Sequence, residues 1–235
     1  MKIKAAVIRQ MGLPQPYAQS KPMAIEEVEL ASPGERELLV QVKAAGLCHS
    51  DLSTINGDRP RQMPMVLGHE AAGVVVECGP GVGDLKKGDH VVMVFAPSCG
   101  ECIACKEGHP GRCEPGQKAN GAGTLLGGGI RLSQKNQTVY HHVGVSAFAE
   151  YCVVHRGSVV KIDERLPFDE AALFGCAVLT GVGAALNTAQ VFPGARVAVV
   201  GLGGVGLNAL FGAQVAGASQ VIAIDVHDDK LDLAK

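Results

Sequence analysis

The feature that most constrains this chain is a cysteine-rich run, SCGECIACKEGHPGRC, at residues 98–113. Its four cysteines are spaced C-x2-C-x2-C-x7-C, at Cys99, Cys102, Cys105 and Cys113. Such a cluster raises four alternatives: disulfides, an iron–sulfur cluster, a redox pair or a zinc site. The last gap differs from the bacterial ferredoxin spacing. Glycines and prolines predict a loop here, and four thiolates in a loop are typical of a closed, tetrahedral structural zinc site.

Composition sets the class of protein. The chain has 235 residues, 47% of them hydrophobic, and a formal net charge of -2, which allows one large or two small domains and argues against a nucleic-acid partner. The N-terminal apolar run is too short for a signal peptide, and no stretch approaches the roughly 18 to 20 apolar residues of a membrane span. We therefore expect a cytoplasmic protein without a membrane partner. Reducing cytosol favours metal binding over disulfides.

The first 165 residues predict strands. Short, valine-rich runs are punctuated by glycine and proline: KAAVI, LLVQVKAAG, AAGVVVE, DHVVMVF, EYCVVH and SVVKI. Glycine-rich stretches between them are typical of turns and loops. This part is predicted to be a β-rich domain with long loops.

The last 65 residues change character. An alanine- and leucine-rich helical segment, 169–190, precedes a strand, the glycine pattern G-x-G-x-x-G (Gly201, Gly203 and Gly206), a helix and a second strand that ends at Asp225. That order, with the acid 19 residues after Gly206 (225 − 206), is the dinucleotide-binding fingerprint in its structural context. Asp225 would accept hydrogen bonds from the ribose hydroxyls and repel a 2′-phosphate, which favours NAD over NADP. Lys230 lies close enough to moderate that preference.

A nicotinamide site beside a zinc loop suggests a second, open zinc site. The candidate ligands are Cys48 in GLCHSD, His69 in LGHEAAG and Cys176 in FGCAVLTG. An open, catalytic zinc site uses three such protein ligands. Because the three are far apart in the chain, their spacing predicts no geometry. Either cysteine alone is equally consistent with a small buried side chain.

Taken together, these motifs resemble the zinc-dependent medium-chain alcohol dehydrogenase family. GLCHSD, LGHEAAG, the CGECIAC…C loop, HHVGVSAFAEY, GCAVLTG and GLGGVG follow the family's order, from near residue 3 to the last residue. The resemblance implies a β-rich GroES-like catalytic domain at 1–178. A Rossmann NAD-binding domain at 179–235 would follow, incomplete and limited to its first βαβ unit.

The resemblance also implies roles for individual residues. Cys48, His69 and Cys176 would hold a catalytic zinc, with Glu70 approaching it from behind, and the four clustered cysteines would hold a structural zinc. Asp51 would orient His69, and Ser50 would pass the alcohol proton toward the nicotinamide ribose. The remaining implied contacts are the pyrophosphate at His49, the nicotinamide at Thr180 and Val205, and the substrate at Phe95.

The implied activity is hydride transfer between a small primary alcohol or aldehyde and NAD. Zinc would lower the alcohol pKa, as it lowers that of bound water to about 7. An S-(hydroxymethyl)glutathione dehydrogenase is the enzymatic alternative, and a truncated zinc-binding fragment without turnover is the alternative from another class.

Two departures from the family pattern bear on these alternatives. Ser53 stands where many relatives carry the histidine that completes the proton relay. Residues 114–117 lack the arginine that the glutathione-dependent members use, which disfavours that substrate. We also expect this sequence to be the N-terminal part of a longer chain that is a homodimer or homotetramer.

Overall fold

A computed structural model describes all residues of the chain, 1–235. The backbone divides into two compact units, Met1–Ala172 and Leu173–Lys235. The division into domains at 1–178 and 179–235 stays a prediction. The predicted mixed β and α/β class is confirmed, because the first unit is built mainly of antiparallel strands and the second contains a parallel strand pair.

The first unit contains ten strands and five short α-helices, the last of which ends at Leu173, the first residue of the second unit. The strands are β1 (Lys2–Ile8), β2 (Met23–Leu30), β3 (Glu37–Gly46), β4 (Met65–Val66), β5 (Glu70–Cys78), β6 (His90–Met93), β7 (Leu132–Gln134), β8 (Gln137–His141), β9 (Tyr151–His155) and β10 (Val159–Lys161). The helices are α1 (Tyr17–Ser20), α2 (His49–Ile55), α3 (Ile103–Lys106), α4 (Glu114–Ala122) and α5 (Phe168–Leu173).

These strands form two layers with apolar cores. Strands β1, β2, β7, β8 and β4 close into a barrel, and the other five form a sheet in the order β10-β6-β5-β3-β9. Alternating side chains of β1, including Ile3, Ala5 and Val7, are buried with Val28 and Val139. A separate buried cluster lies on the five-stranded sheet and contains Leu38, Val40, Val91 and Val154. Burial of valine and isoleucine on one face is what their period-two pattern favours.

The pairing of β3 with β5 positions the candidate metal ligands. The two strands run antiparallel, and Gly46 at the end of β3 pairs with Glu70 at the start of β5. Cys48 lies two residues after the end of β3, and His69 directly precedes β5. Residues that are 21 positions apart in sequence (69 − 48) therefore meet at one end of the sheet.

The second unit has the predicted order of strand, glycine turn, helix and strand. Its elements are α6 (Leu179–Gly183), β11 (Arg196–Val200), α7 (Gly204–Val215), β12 (Gln220–Ile224) and α8 (Asp228–Leu233). Strands β11 and β12 pair in parallel. Wider, π-helical turns flank α6 at Phe174–Val178 and Ala184–Thr188.

The turn between β11 and α7 depends on two glycines. Gly201 has a φ of +88°, a conformation that side chains rarely adopt. A methyl group on Gly206 would collide with the carbonyl oxygen of Gly201, so the helix can approach the turn this closely only without a side chain. A methyl group on Gly203 would meet no atom within 4 Å.

One helical run meets the length and hydropathy expected of a membrane span, which the sequence had not led us to expect. Phe168–Thr188 has 21 residues, a mean hydropathy of 1.6 and 33% of its apolar window buried. Core helices of water-soluble proteins meet the same two measures, so this run is weak support for a membrane role.

Two alanine substitutions test the role of the glycines in the turn between β11 and α7. Gly206→Ala should destabilise the second unit by about 3 kcal/mol or more, because its methyl group has no room. Gly203→Ala should cost only about 1 kcal/mol, because its methyl group has room and the substitution changes no more than the N-cap residue of α7. Hydrogen exchange of residues 196–224, in protein expressed from the complete gene, measures both. Equal effects of the two substitutions would contradict this account of the turn.

Candidate metal centres

The cysteine-rich loop brings four sulfurs together. The Sγ atoms of Cys99, Cys102, Cys105 and Cys113 all lie within 4.8 Å of one another. None of the four forms a disulfide. One helical turn, α3, carries Cys105, and Cys102 immediately precedes that turn. Four convergent sulfurs are the donor set of a closed zinc site, so the residues present fit the metal that their spacing predicts.

Backbone N–H groups donate hydrogen bonds to two of these sulfurs, those of Cys99 and Cys113. Glu101 and Cys102 donate hydrogen bonds to Cys99 Sγ at 3.4 and 3.3 Å, and Cys113 Sγ accepts from Gly116 at 3.4 Å. The two hydrogen bonds to Cys99 lower the pKa of its thiol to about 6. Burial raises the pKa of Cys105 to about 11. The Cys99 thiol therefore ionises more readily than the Cys105 thiol. Zinc binding to all four sulfurs would release protons from the thiols that are still protonated.

A second group of ligand atoms forms where β3 and β5 meet. The ligand atoms of Cys48 and His69 lie within 4.8 Å of each other. Cys48 is half-buried and His69 is buried. Burial alone would raise the pKa of the Cys48 thiol, but hydrogen bonds to Ser50 and the nearby His69 outweigh it, and the pKa is lowered. A thiol with a lowered pKa deprotonates readily for metal binding.

Asp51 organises this second group. Its Oδ1 lies 3.2 Å from His69 Nδ1 and accepts from the Gly68 N–H, while Oδ2 accepts from the Cys48 N–H. Burial would raise the pKa of this carboxyl, but the adjacent imidazoles of His142 and His69 outweigh burial and hold the pKa well below its usual value. An ionised carboxylate on Nδ1 leaves the other ring nitrogen of His69 available for a metal.

His142 is a site residue that the sequence reasoning missed. Its Nδ1 lies 3.3 Å from Asp51 Oδ1, and its ring lies edge-on to the His69 ring at 5.4 Å. Burial lowers the pKa of His142 even though Asp51 opposes that shift. The only signal in the sequence is the consecutive pair His141-His142 at the start of HHVGVSAFAEY, a motif that resembles the family pattern.

Glu70 and Phe95 lie around the same group. Glu70 is 2% exposed, and a methyl group on Gly46 would lie 3.1 Å from its Cδ atom. The Phe95 ring is 5.8 Å from the His69 ring, in an edge-to-face arrangement. Both predicted site residues are thus close to the Cys48–His69 pair.

The helix after Cys48 carries the remaining candidates of the first unit. Ser50 Oγ accepts a hydrogen bond of 3.2 Å from the Arg59 guanidinium. His49 Nδ1 lies 3.4 Å from the hydroxyl of Ser53, the residue at the position of the relay histidine. The hydroxyl of Ser53 therefore contacts a histidine that precedes it by one helical turn.

The second unit carries the other candidates. Cys176 is buried within the π-helical turn Phe174–Val178, and such turns are frequent at functional sites. Thr180 lies on α6 and Val205 in the first turn of α7. Lys230 lies on α8, 3.8 Å from the Asp229 carboxylate. Cys176 as a third ligand of the second metal stays a prediction.

Asp225 is tied to the glycine turn. One carboxylate oxygen accepts from the Leu202 N–H at 2.7 Å, and the other accepts from the His227 N–H at 3.0 Å. These two hydrogen bonds, with Leu202 first, lower the pKa of Asp225. The carboxylate therefore stays ionised and retains lone pairs for further donors.

Comparison with known proteins identifies the family. The sequence profile of the family described as "Alcohol dehydrogenase GroES-like domain" matches residues 34–164. The chain belongs to the zinc-dependent medium-chain alcohol dehydrogenase family. This confirms the predicted family and the predicted GroES-like, β-rich domain of this alcohol dehydrogenase-family chain.

Individual relatives agree with this assignment. The chain is 45% identical, over 93% of its length, to "Alcohol dehydrogenase class-3" of Drosophila melanogaster, of which it covers 58%. It is 43% identical, over 100% of its length, to "S-(hydroxymethyl)glutathione dehydrogenase" of Escherichia coli, of which it covers 62%. The crystal structure of benzyl alcohol dehydrogenase from Acinetobacter calcoaceticus matches with a TM-score of 0.89 at 34% identity, over 100% of this chain and 61% of that one. The chain thus spans about three fifths of the length of these relatives.

A substitution in the cysteine-rich loop tests whether the loop binds zinc. Cys102→Ser should remove one zinc per chain and lower the free energy of unfolding by about 2 kcal/mol or more, because a serine hydroxyl replaces a thiolate ligand. Cys78→Ser is the matched control, since Cys78 lies outside both groups and donates only to a backbone carbonyl. Metal analysis and thermal unfolding measure both effects. A Cys102→Ser protein with unchanged zinc content and stability would contradict the site.

Proposed function

We propose that this chain contributes the metal sites and the first part of the nucleotide site of an NAD-dependent dehydrogenase. Its substrate class would be small primary alcohols or the corresponding aldehydes. The observation that carries the proposal is the pairing of half-buried Cys48 with buried His69, whose imidazole contacts the Asp51 carboxylate, in a chain of the alcohol dehydrogenase family. A cytoplasmic location and a homodimer or homotetramer are parts of the same proposal.

Two zinc ions per chain are implied. The four clustered cysteines would hold one, and Cys48, His69 and Cys176 the other, with Glu70 behind it. When bound, the second zinc would act as a Lewis acid that lowers the pKa of the alcohol hydroxyl. Asp51 supports this assignment because a carboxylate on the distal nitrogen of a ligating histidine fixes the tautomer and the direction of the ring.

Protein groups near Cys48 would handle the alcohol proton. Ser50 Oγ would accept it and pass it toward the nicotinamide ribose. The guanidinium of Arg59 already donates to Ser50 Oγ, so one lone pair is occupied and the hydroxyl hydrogen is directed away from Arg59. His49 would contact the pyrophosphate of the cofactor. The His49 imidazole also contacts the hydroxyl of Ser53, the serine at the position of the family's relay histidine.

The second unit would bind the dinucleotide. Its glycine turn leads into α7, whose N-terminal N–H groups attract phosphate. The space beside Gly203, open for 4 Å, would admit the pyrophosphate against the backbone. Asp225 would accept from the ribose hydroxyls, and Thr180 and Val205 would contact the nicotinamide. The negative charge of Asp225 disfavours the 2′-phosphate of NADP.

A second candidate substrate is S-(hydroxymethyl)glutathione. The observation in its favour is that a relative 43% identical to this chain carries that substrate in its name. The observation against it lies in residues 114–117, Glu-Pro-Gly-Gln, which hold no arginine to pair with a glutathione carboxylate. Both candidates use the same two metal sites and the same cofactor.

A substrate comparison tests the proposal. Protein expressed from the complete gene and loaded with zinc should reduce NAD with ethanol, longer primary alcohols or benzyl alcohol. We expect kcat/KM for the best of these to exceed that for S-(hydroxymethyl)glutathione by at least about tenfold, or about 1.4 kcal/mol of transition-state stabilisation. The reverse ratio would establish the second candidate. Zinc-replete protein without turnover on any of these compounds would overturn both.

The cofactor preference gives a separate prediction. Asp225→Asn should weaken NAD binding and reduce discrimination against NADP by about tenfold or more, because the charge is lost while an acceptor for the Leu202 N–H remains. Asp228→Asn, at an exposed position of α8, is the matched control. Steady-state kinetics with both cofactors measure the preference. A parent protein that already prefers NADP would contradict the role of Asp225.

A further inference from the structure

Phe95 makes two contacts that fix its position, one through its backbone carbonyl and one through its ring. Its carbonyl oxygen accepts a hydrogen bond of 2.8 Å from Asn120 Nδ2, which belongs to α4. Its ring meets the ring of His69 edge-on, at an interplanar angle of 86°. A shift of the Phe95 backbone would therefore move an aromatic ring that lies directly beside a candidate metal ligand.

Helix α4 begins at the cysteine-rich loop. Cys113 is the residue that caps it, and the Cys113 sulfur accepts from the Gly116 N–H inside the first turn. Gly116 packs so closely on the Pro97 carbonyl that a side chain there would collide with it. The segment 95–97 is thus fastened to α4 at two points, and α4 is fastened to one of the four clustered sulfurs.

Asn120 is an energetically unfavourable residue at its position in α4. Asparagine is unfavourable inside a helix because its side chain competes for backbone hydrogen bonds. Its Oδ1 is buried without a hydrogen-bond partner, which carries a further penalty. The only hydrogen bond of this side chain in the structure is the one to Phe95. The stability of α4 alone does not explain the residue, whereas the position of Phe95 does.

We propose that Asn120 is a positioning residue that transmits the order of the four-cysteine loop to Phe95, and through Phe95 to the surroundings of His69. The four-cysteine loop would then do more than stabilise its own fold, because a metal bound there would also keep Phe95 in place beside His69. This inference rests on the proposed function only where Phe95 is taken as a substrate contact.

Hydrogen exchange measured by mass spectrometry tests the link. The samples are zinc-loaded and metal-depleted protein from the complete gene, in the parent and in three variants. Asn120→Ala removes the donor, and Asn120→Asp has nearly the same size but replaces the donor with an acceptor. Lys118→Ala, at an exposed position of the same helix, is the control. Exchange is followed for residues 94–98, and zinc content and thermal unfolding are recorded for each sample.

In zinc-loaded protein, both Asn120 variants should exchange at residues 94–98 about fivefold faster than the parent, as expected for loss of one hydrogen bond. Zinc content should not change, and Asn120→Ala should not unfold at a lower temperature. Metal depletion should accelerate exchange of the same segment in the parent and add less in the Asn120 variants, since those variants have already lost one of the two contacts between α4 and residues 95–97. A purely structural role would instead lower the unfolding temperature along with the protection.

Unchanged exchange at 94–98 in both Asn120 variants would overturn the proposal. So would a metal effect in Asn120→Ala as large as in the parent, because the loop would then reach Phe95 by another route. An activity assay on the same samples separates this inference from the proposed function. If the zinc-loaded parent oxidises no alcohol, the proposed function fails, while the exchange result still decides the role of Asn120.

Discussion

The buried carboxylate of Asp51 is the constraint on which the candidate site around Cys48 and His69 depends. An ionised carboxylate that is 3% exposed must be compensated, since an isolated buried charge is very unfavourable. The chain meets this need with the N–H groups of Cys48 and Gly68 and with the imidazole of His69. These donors come from the start of α2 and from the segment before β5. One carboxylate thereby holds together two parts of the chain that each carry a candidate metal ligand.

The four-cysteine loop solves a different problem. Few large apolar side chains are available between residues 97 and 113, and Ile103 is 76% exposed. Apolar packing contributes little to ordering this segment, and the convergent sulfurs with their N–H donors take that role. If zinc binds there as proposed, its binding energy would contribute to folding. The order extends beyond the loop because α4 starts at Cys113.

Much of the fold was predictable from local patterns. The six valine-rich runs correspond to β1, β3, β5, β6, β9 and β10, and the glycine fingerprint lies between β11 and α7. Strand β2 was missed because its sequence, MAIEEVEL, carries glutamates that are depleted in strands, although Val28 and Leu30 are buried. Helix α4 was missed because its proline and glycines indicate a loop. Its ordering comes from Cys113 and the packing of Gly116, which are tertiary effects.

Some parts of the candidate site could be predicted from the sequence and others could not. The spacing of the four cysteines alone predicted their convergence, because all four lie within one short loop. Cys48 and His69 could be paired only through the family resemblance, since the pairing of β3 with β5 brings them together. His142 carried no usable signal, because its role follows from contact with Asp51 across a long stretch of chain. Local spacing therefore predicts local sites, and sheet register determines the others.

We expect this chain to build one all-sulfur zinc site and to contribute sulfur and imidazole ligands to a second. X-ray absorption at the zinc edge of fully loaded protein from the complete gene tests it most directly. The account predicts a sulfur-dominated shell at about 2.3 Å, with a minor nitrogen or oxygen shell at about 2.0 to 2.1 Å that includes imidazole scattering. In Cys102→Ser protein, the remaining zinc should show a smaller sulfur fraction and a stronger imidazole contribution. A first shell of nitrogen and oxygen alone, or a sulfur fraction that Cys102→Ser leaves unchanged, would contradict the account.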